Sequence, residues 1–365
     1  MKENKPIIRL LLTGGGTGGH LFPALAAARK LLEECPESKV MFVGTKRKMD
    51  KKTLDKYPFA SRSIHGCGLK GKSLPGIIKA LLVLPASFLE SLVILLRFKP
   101  DMVLGVGGYV TAPVVAAARM LAIPALIHEQ NSVPGLANRK LAFLVNKICV
   151  SMPDDAGVFP KNKLVLTGNP VRKEILEIAD KKPSASGQIT ILVLGGSQGA
   201  HGLNLLVCEA VTEHFSSCRC PFRMIHQTGQ NDVDMVRKKY DEAGIQAETA
   251  PFFQDMAGVY EQADLVVSRA GATTLAELSV LGKPAVLIPY PAAADNHQLR
   301  NAEYYARVGG AVIMEEKKTS PAELADALVN LINNPDERAG MGMKMKELSR
   351  PEAAENIIRT CLSLV

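Results

Sequence analysis

A chain of 365 residues with 47% hydrophobic side chains can bury two full cores, which excludes intrinsic disorder. Seven cysteines, an odd number without regular spacing, point to a reducing compartment and exclude a disulfide framework. The formal charge of +8 is unevenly spread: residues 1–168 hold 24 Lys and Arg against 11 Asp and Glu (+13), the remainder 20 against 25 (−5). The basic half therefore expects an anionic partner, such as a membrane leaflet, nucleic acid or a pyrophosphate lipid.

No secretory signal is expected, because Met1 to Pro6 is polar and the apolar run Ile7 to Leu12 is too short. That run reads as a buried strand. Five glycines in six positions follow (Gly14 to Gly19, interrupted by Thr17), and Pro23 is expected to open a helix over Ala24 to Glu34. Strand, glycine turn and helix N-terminus together make an anion site with His20 at its mouth. Gly14-x-Gly16-x-x-Gly19 also matches the dinucleotide fingerprint. The second strand, Lys39 to Val43, ends in Gly44-Thr45-Lys46-Arg47 without the carboxylate that holds an NAD ribose, so an NADP enzyme is the rival reading.

Gly76 to Leu96 is the most apolar stretch, long enough to invite a membrane span. Lys79, Pro85, Ser87, Glu90 and Ser91 interrupt it, and Asp101 to Gly105 is again a core strand. One or two amphipathic helices are expected, their outer residues either packing on the core or meeting a membrane surface; in the second case Ile77, Ile78, Leu81, Leu82, Phe88 and Leu89 would face the membrane beside Lys70, Lys72 and Lys79. Strand Met102–Val106 runs into Gly107-Gly108-Tyr109, and strand Ala125–Ile127 ends in His128-Glu129-Gln130-Asn131. Glycine or polar groups at three strand ends predict convergence on one ligand site.

Beyond Gly168-Asn169-Pro170-Val171-Arg172 the opening pattern repeats: strand Ile189–Leu194, a glycine turn Gly195 to Ala200, and helix Leu203–His214. Repetition after about 180 residues predicts two similar α/β domains with parallel sheets. His214, Cys218, Cys220 and His226 fit no usual zinc spacing. After strand Leu265–Ser268 comes Arg269-Ala270-Gly271-Ala272-Thr273-Thr274-Leu275-Ala276-Glu277, in which Thr274-x-x-Glu277 reads as a capping box. A second free helix N-terminus beside Gly195-Gly196 would cradle a diphosphate without metal, and leave Glu277 free for a ribose. Residues 321–334 and 344–363 are expected to be helical.

Assembled, Gly14–Pro23, Gly107–Val110, His128–Asn131, Gly168–Arg172, Gly195–Ala200, Ser268–Glu277 and Gly282–Gln298 resemble the MurG family of peptidoglycan N-acetylglucosaminyltransferases over nearly the whole chain. The resemblance implies a GT-B architecture, two Rossmann-like domains facing across a cleft. The expected division is 1–168 (acceptor- and membrane-facing), 169–343 (UDP-sugar-binding) and a C-terminal helix in 344–365 packing back on the first domain. The implied reaction moves N-acetylglucosamine from UDP-N-acetylglucosamine to the muramyl 4-hydroxyl of lipid I, with inversion, giving lipid II. The implied partners are these substrates and an anionic membrane surface on the cytoplasmic face, with no nucleic acid, no cofactor and no metal.

Residue by residue, the resemblance implies a donor site of Arg172, Ser197, Phe253, Ala272, Thr273, Thr274, Leu275, Ala276, Glu277 and Gln298, with Thr17, Gly18, Gly19 and Asn131 from the other domain. Acceptor-side positions would be His20, Tyr109, Glu129, Asn131 and Asn204. His20 is the expected general base, since a helix N-terminus favours its neutral ring, and Glu129 is its competitor. Phe253 stands where an aliphatic residue is common, and His297 where a second glutamine is common. Rivals with the same architecture are a glycolipid glycosyltransferase and a UDP-N-acetylglucosamine 2-epimerase; a non-catalytic nucleotide-binding module is the remaining alternative.

Overall fold

The computed structural model describes residues 6–15, 18–45, 57, 59–66, 74–181, 187–196 and 198–365. The chain divides into two compact units, residues 1–171 with 351–365, and residues 172–350. In the first, β1 (Arg9–Thr13), α1 (Gly18–Glu34), β2 (Lys39–Gly44), β3 (Ala60–Ser63), α2 (Leu74–Phe98), β4 (Met102–Gly105), α3 (Thr111–Met120), β5 (Ala125–Glu129), α4 (Leu136–Leu141), β6 (Lys147–Val150) and β7 (Leu164–Leu166) follow in order. In the second come α5 (Lys173–Leu176), β8 (Ile189–Leu194), α6 (His201–His214), β9 (Phe222–Gln227), α7 (Val233–Glu242), β10 (Ala247–Ala250) and α8 (Met256–Gln262). It continues with β11 (Leu265–Ser268), α9 (Ala272–Leu281), β12 (Ala285–Leu287), α10 (His297–Ala306), β13 (Ala311–Ile313), α11 (Pro321–Asn333) and α12 (Pro335–Glu347). A last helix, α13 (Ala353–Leu362), belongs to the first unit.

Strands that are apolar throughout, such as Leu10-Leu11-Leu12, must be covered on both faces, and parallel sheets with flanking helices do that. The sheet orders are β3-β2-β1-β4-β5-β6-β7 and β10-β9-β8-β11-β12-β13, with the paired strands parallel. Leu10 and Leu12 pack with α1 and with Ile357, Ile358 and Cys361 of α13 on one face, while Leu11 packs with Val114, Val115 and Ala118 of α3 on the other. In both sheets the strand order reverses beside the opening strand, between β1 and β4 and between β8 and β11. Such a switch point leaves a crevice at the carboxyl ends, where ligands of open α/β sheets bind.

Several local expectations are corrected. Pro23 lies inside α1, which starts five residues earlier at Gly18. As the sixth helical residue it lacks the N–H that would bond the Gly19 carbonyl, so α1 forfeits one intrahelical hydrogen bond there. β5 runs on to include His128 and Glu129, because both side chains find partners inside the fold. The expected helix over 344–363 is two helices broken at Arg350–Pro351, since a residue before proline avoids helical backbone. Phe88 is half-buried against the core rather than facing outward, while Leu89 is exposed. Among the described residues, no helix is long and apolar enough to cross a membrane and no cluster of His, Cys, Asp and Glu could hold a metal ion.

Candidate functional site

At the first switch point, the turns after β1 and β4 touch through their backbones. Gly108 has φ +88, and a Cβ there would lie 2.5 Å from the Gly15 carbonyl oxygen. Some of these glycines thus serve the packing of turn on turn. Thr111 Oγ1 donates to the Gly107 carbonyl at 2.8 Å and fixes the second turn. α1 starts just past the first turn, with His20 its third residue and Gly18 and Gly19 its first two. Thr17 and the side chain of His20 lie outside the described residues.

The polar end of β5 is turned inward. His128 Nε2 donates to the Gly168 carbonyl (3.0 Å), so Nδ1 is the nitrogen that accepts from Gln130 Nε2 (3.1 Å). Glu129, 2% exposed, accepts from the Asn131 N–H (3.1 Å) on one oxygen, and from the Gly135 N–H (2.9 Å) and Asn138 Nδ2 (2.8 Å) on the other. Glu129 is therefore the hub of the turn between β5 and α4. Asn131 and Tyr109 remain half-exposed at the sheet's carboxyl edge.

At the second switch point, Gly199 (φ +78) meets the Thr228 carbonyl, where a Cβ would sit at 2.4 Å, whereas Gly196 (φ +88) faces open space. Ser197 lies outside the described residues. Gln227, at the end of β9, joins two loops: its Nε2 donates to the Gly196 carbonyl (3.1 Å) and its Oε1 accepts from the Phe253 N–H (3.2 Å). Helices α6, α9 and α10 all begin at this edge without a side-chain cap, unlike α11, which has a full capping box at Ser320 and Glu323.

The expected capping box of α9 is absent. Its N-cap is Gly271, Thr274 is the third helical residue, and Glu277 sits in the second turn with its side chain buried. Nor is Glu277 free: Arg172 Nε (2.9 Å) and Nη2 (2.8 Å) donate to one carboxylate oxygen and Tyr260 O–H (3.0 Å) to the other. Burial raises its pKa, against the lowering pull of Arg172 and Tyr260. Around the start of α9, Ser268 Oγ, Arg269 Nε and Thr273 Oγ1 are buried without a hydrogen-bond partner. Buried polar groups are nearly always paired, so three orphans within six residues single out this edge as a candidate ligand site. Ala272, Leu275 and Ala276 are buried in the same helix, and Thr274 is half-buried.

Gln298, second in α10, is half-buried, and its Oε1 accepts from the Tyr290 N–H at 2.9 Å. His297 Nδ1 donates within its own turn to the Ala294 carbonyl. Asn204 is fully engaged: Nδ2 donates to the Thr228 carbonyl and Asp232, and Oδ1 accepts from His226 Nε2. Its amide is framework, beneath the surface of the second unit. His226, bonded also to Tyr240, takes no part in a zinc set with His214, Cys218 and Cys220. Gln227, Tyr260 and Asn138 went unread in the sequence; only Gln227 carried a signal, as a polar residue closing an apolar strand.

Two family models match this chain, the glycosyltransferase family 28 N-terminal domain over residues 10–150 and its C-terminal domain over residues 190–357. The chain belongs to glycosyltransferase family 28. A relative from Desulfotalea psychrophila, named UDP-N-acetylglucosamine–N-acetylmuramyl-(pentapeptide) pyrophosphoryl-undecaprenol N-acetylglucosamine transferase, is 53% identical over 100% of this chain and 99% of its own. A relative of the same name from Myxococcus xanthus is 40% identical over 98% and 94%. The crystal structure of Acinetobacter baumannii MurG aligns with a TM-score of 0.79 at 30% identity, covering 98% of this chain and 100% of that one. The family membership and the GT-B fold inferred from the motifs are thereby borne out. A UDP-N-acetylglucosamine 2-epimerase from Neisseria meningitidis shares the fold alone (17% identity, TM-score 0.68).

Proposed function

We propose that the second unit binds UDP-N-acetylglucosamine at the uncapped starts of α6, α9 and α10, and that the first unit presents the acceptor. The enzyme transfers N-acetylglucosamine to lipid I and forms lipid II. The observation that carries the donor assignment is the trio of orphaned buried groups at the start of α9, in a family 28 C-terminal domain. In this reading Glu277, held by Arg172 and Tyr260, accepts from the ribose hydroxyls, the open backbone at Gly196 approaches the diphosphate, and Gln298 meets the sugar. Phe253 contributes backbone rather than side chain, and since its N–H is already given to Gln227, its carbonyl is the group left for uracil.

Transfer is a single displacement with inversion. The acceptor's 4-hydroxyl oxygen forms a bond to the anomeric carbon as the bond from that carbon to the β-phosphate oxygen breaks. The hydroxyl proton goes to His20, and the electron pair leaves with UDP. Helix N-termini, with their unpaired N–H groups, stabilise the departing diphosphate as a cation would.

The first unit also carries a surface suited to a lipid leaflet. Leu89, Val93 and Leu96 are exposed at helical spacing along α2, and Met120 ends α3. Leu136, Phe143 and Leu144 are exposed on and just beyond α4, which carries Arg139 and Lys140. An apolar stripe among cations is the make-up of an interfacial surface, and we place this one on the leaflet that holds the lipid-linked acceptor. Lys70 and Lys72 lie outside the described residues, as do the side chains of Ile77, Ile78, Lys79, Leu81 and Leu82. One assay tests the whole: UDP release from UDP-N-acetylglucosamine, measured with and without lipid I. Release that does not depend on lipid I overturns the acceptor assignment.

A further inference from the structure

We infer that Arg269 is a positioning residue for the sugar half of the donor, acting through the loop that carries Gln298. The inference rests on the donor reading above. Arg269 follows β11 and is buried. Its Nη1 donates to the carbonyls of Ile288 (3.1 Å) and Pro289 (3.3 Å), where β12 gives way to the loop. Its Nη2 is paired with the carboxylate of Glu316, just beyond β13, and its guanidinium carbon lies 5.5 Å from the centre of the Tyr290 ring. The Tyr290 N–H then holds Gln298 Oε1. One guanidinium thus reaches the exits of three adjacent strands, and through Tyr290 it fixes which end of the Gln298 amide faces outward. With the carbonyl oxygen spent on Tyr290, the NH₂ group remains, a donor for a sugar oxygen.

The same loop makes a tight turn ahead of α10. Asp295 and Asn296 both lie in the left-handed region (φ 53 and 58), which Asp and Asn tolerate better than other side chains. Glu316 is itself confined: a Cβ on Gly202, in the first turn of α6, would lie 2.4 Å from its Oε1. The carboxylate therefore occupies the space a side chain would take on α6. A buried ion pair such as Arg269–Glu316 adds little net stability, which leaves placement as its use.

Two variants test this, with UDP, UDP-N-acetylglucosamine and its 4-epimer UDP-N-acetylgalactosamine as probes. Arg269→Lys keeps the charge but cannot fork between the carbonyls and Glu316. Gly202→Ala pushes Glu316 aside, which frees Nη2 and loosens the guanidinium on the two carbonyls. In Arg269→Lys, KM for UDP-N-acetylglucosamine should rise about tenfold, the loss of one good hydrogen bond, while the Kd for UDP moves less than about twofold. Preference for UDP-N-acetylglucosamine over its epimer should fall in parallel, and Gly202→Ala should show the same signature more weakly. A brace that served stability alone would lower the melting temperature and leave the ratio of KM to the Kd for UDP unchanged in the folded protein; that result overturns the inference. If Arg269→Lys does not fold, an unchanged ratio in Gly202→Ala overturns it. A wild-type protein that binds neither UDP nor UDP-N-acetylglucosamine overturns the donor reading, and this inference with it.

Discussion

Arg172 grips Glu277 with two nitrogens on one carboxylate oxygen, at 2.9 and 2.8 Å, while Tyr260 holds the other oxygen at 3.0 Å. A carboxylate oxygen accepts two or more hydrogen bonds, so this clamp orients Glu277 without exhausting it. The clamp also joins three elements of the second unit, the start of α5, α8 and α9.

Glu277→Gln should therefore weaken UDP binding by roughly 1.5–3 kcal/mol, the range for a hydrogen bond to a charged group. It should also lower stability, because Arg172 loses its charge partner; Arg172 keeps 27% of its side chain exposed, so screening trims that loss to about 1 kcal/mol. Calorimetry with UDP, alongside thermal unfolding, separates the two. Unchanged UDP affinity in a folded Glu277→Gln protein removes Glu277 from the donor site.

Much of this was legible in advance, for a physical reason. Fully apolar runs such as Leu10-Leu11-Leu12 and Ile191-Leu192-Val193 admit few fates other than central parallel strands, and the glycine turns after them mark the sites. What could not be read was side-chain pairing over long sequence distances. Thr274-x-x-Glu277 has the spacing of a cap, yet Arg172, 105 residues away, takes Glu277 into the second turn. His128 and Glu129 look like loop residues by polarity and become strand because Gly168, Gly135 and Asn138 satisfy them. β3 is exposed along its length and carries no apolar signal at all.

A pH prediction follows from His226. Burial pushes its imidazole down to about 3, against a small opposing pull from Asp232. The unfolded chain takes up this proton near pH 6.5 and the folded chain does not, so the unfolded state binds more protons and stability rises with pH. The contribution is present above pH 6.5 and is lost as pH falls from 6.5 toward 3, by about 2 kcal/mol at pH 5. Urea unfolding of the wild type at pH 7 and pH 5 should show the loss. In His226→Gln this part of the slope should vanish, and an undiminished slope assigns it elsewhere.

Transfer should persist in EDTA. In the proposed donor site the uncapped starts of α6, α9 and α10 supply N–H groups to the diphosphate, so a divalent cation has no necessary part. Complete loss of turnover in EDTA, restored by magnesium, would contradict it.

The leaflet-facing surface is testable without disturbing the core, because Phe143 is 76% exposed and Leu89 and Val93 stand out from α2. A large apolar side chain moved from water into the interface gains up to about 1.5–3 kcal/mol. Leu89→Ser, Val93→Ser and Phe143→Ser together should therefore reduce binding to anionic vesicles by at least about a hundredfold in sedimentation, with turnover on a soluble acceptor retained. Charge reversal at Lys70, Lys72 and Lys79 should act in the same direction. Undiminished binding by both sets of variants places the membrane contact on another face.

The last prediction concerns the base. Glu129 already accepts four N–H donors from the turn it organises, and it sits in a strand with 2% of its surface exposed. Its replacement by glutamine puts an NH₂ group against one set of donors and leaves buried N–H groups without an acceptor, at about 1–3 kcal/mol each. The expected signature of Glu129→Gln is lost stability and a lowered rate, with the shape of the pH–rate profile kept. His20, in the first turn of α1, should behave oppositely. Removing a general base lowers turnover by about 10²–10⁴, so His20→Ala should lose that much with UDP affinity and melting temperature nearly unchanged. The acid limb of kcat should vanish with it, since that limb reports protonation of the base in the ternary complex. Should His20→Ala keep the limb while a folded Glu129→Gln loses it, the proton goes to Glu129, and the bonds that now hold that carboxylate must open during turnover.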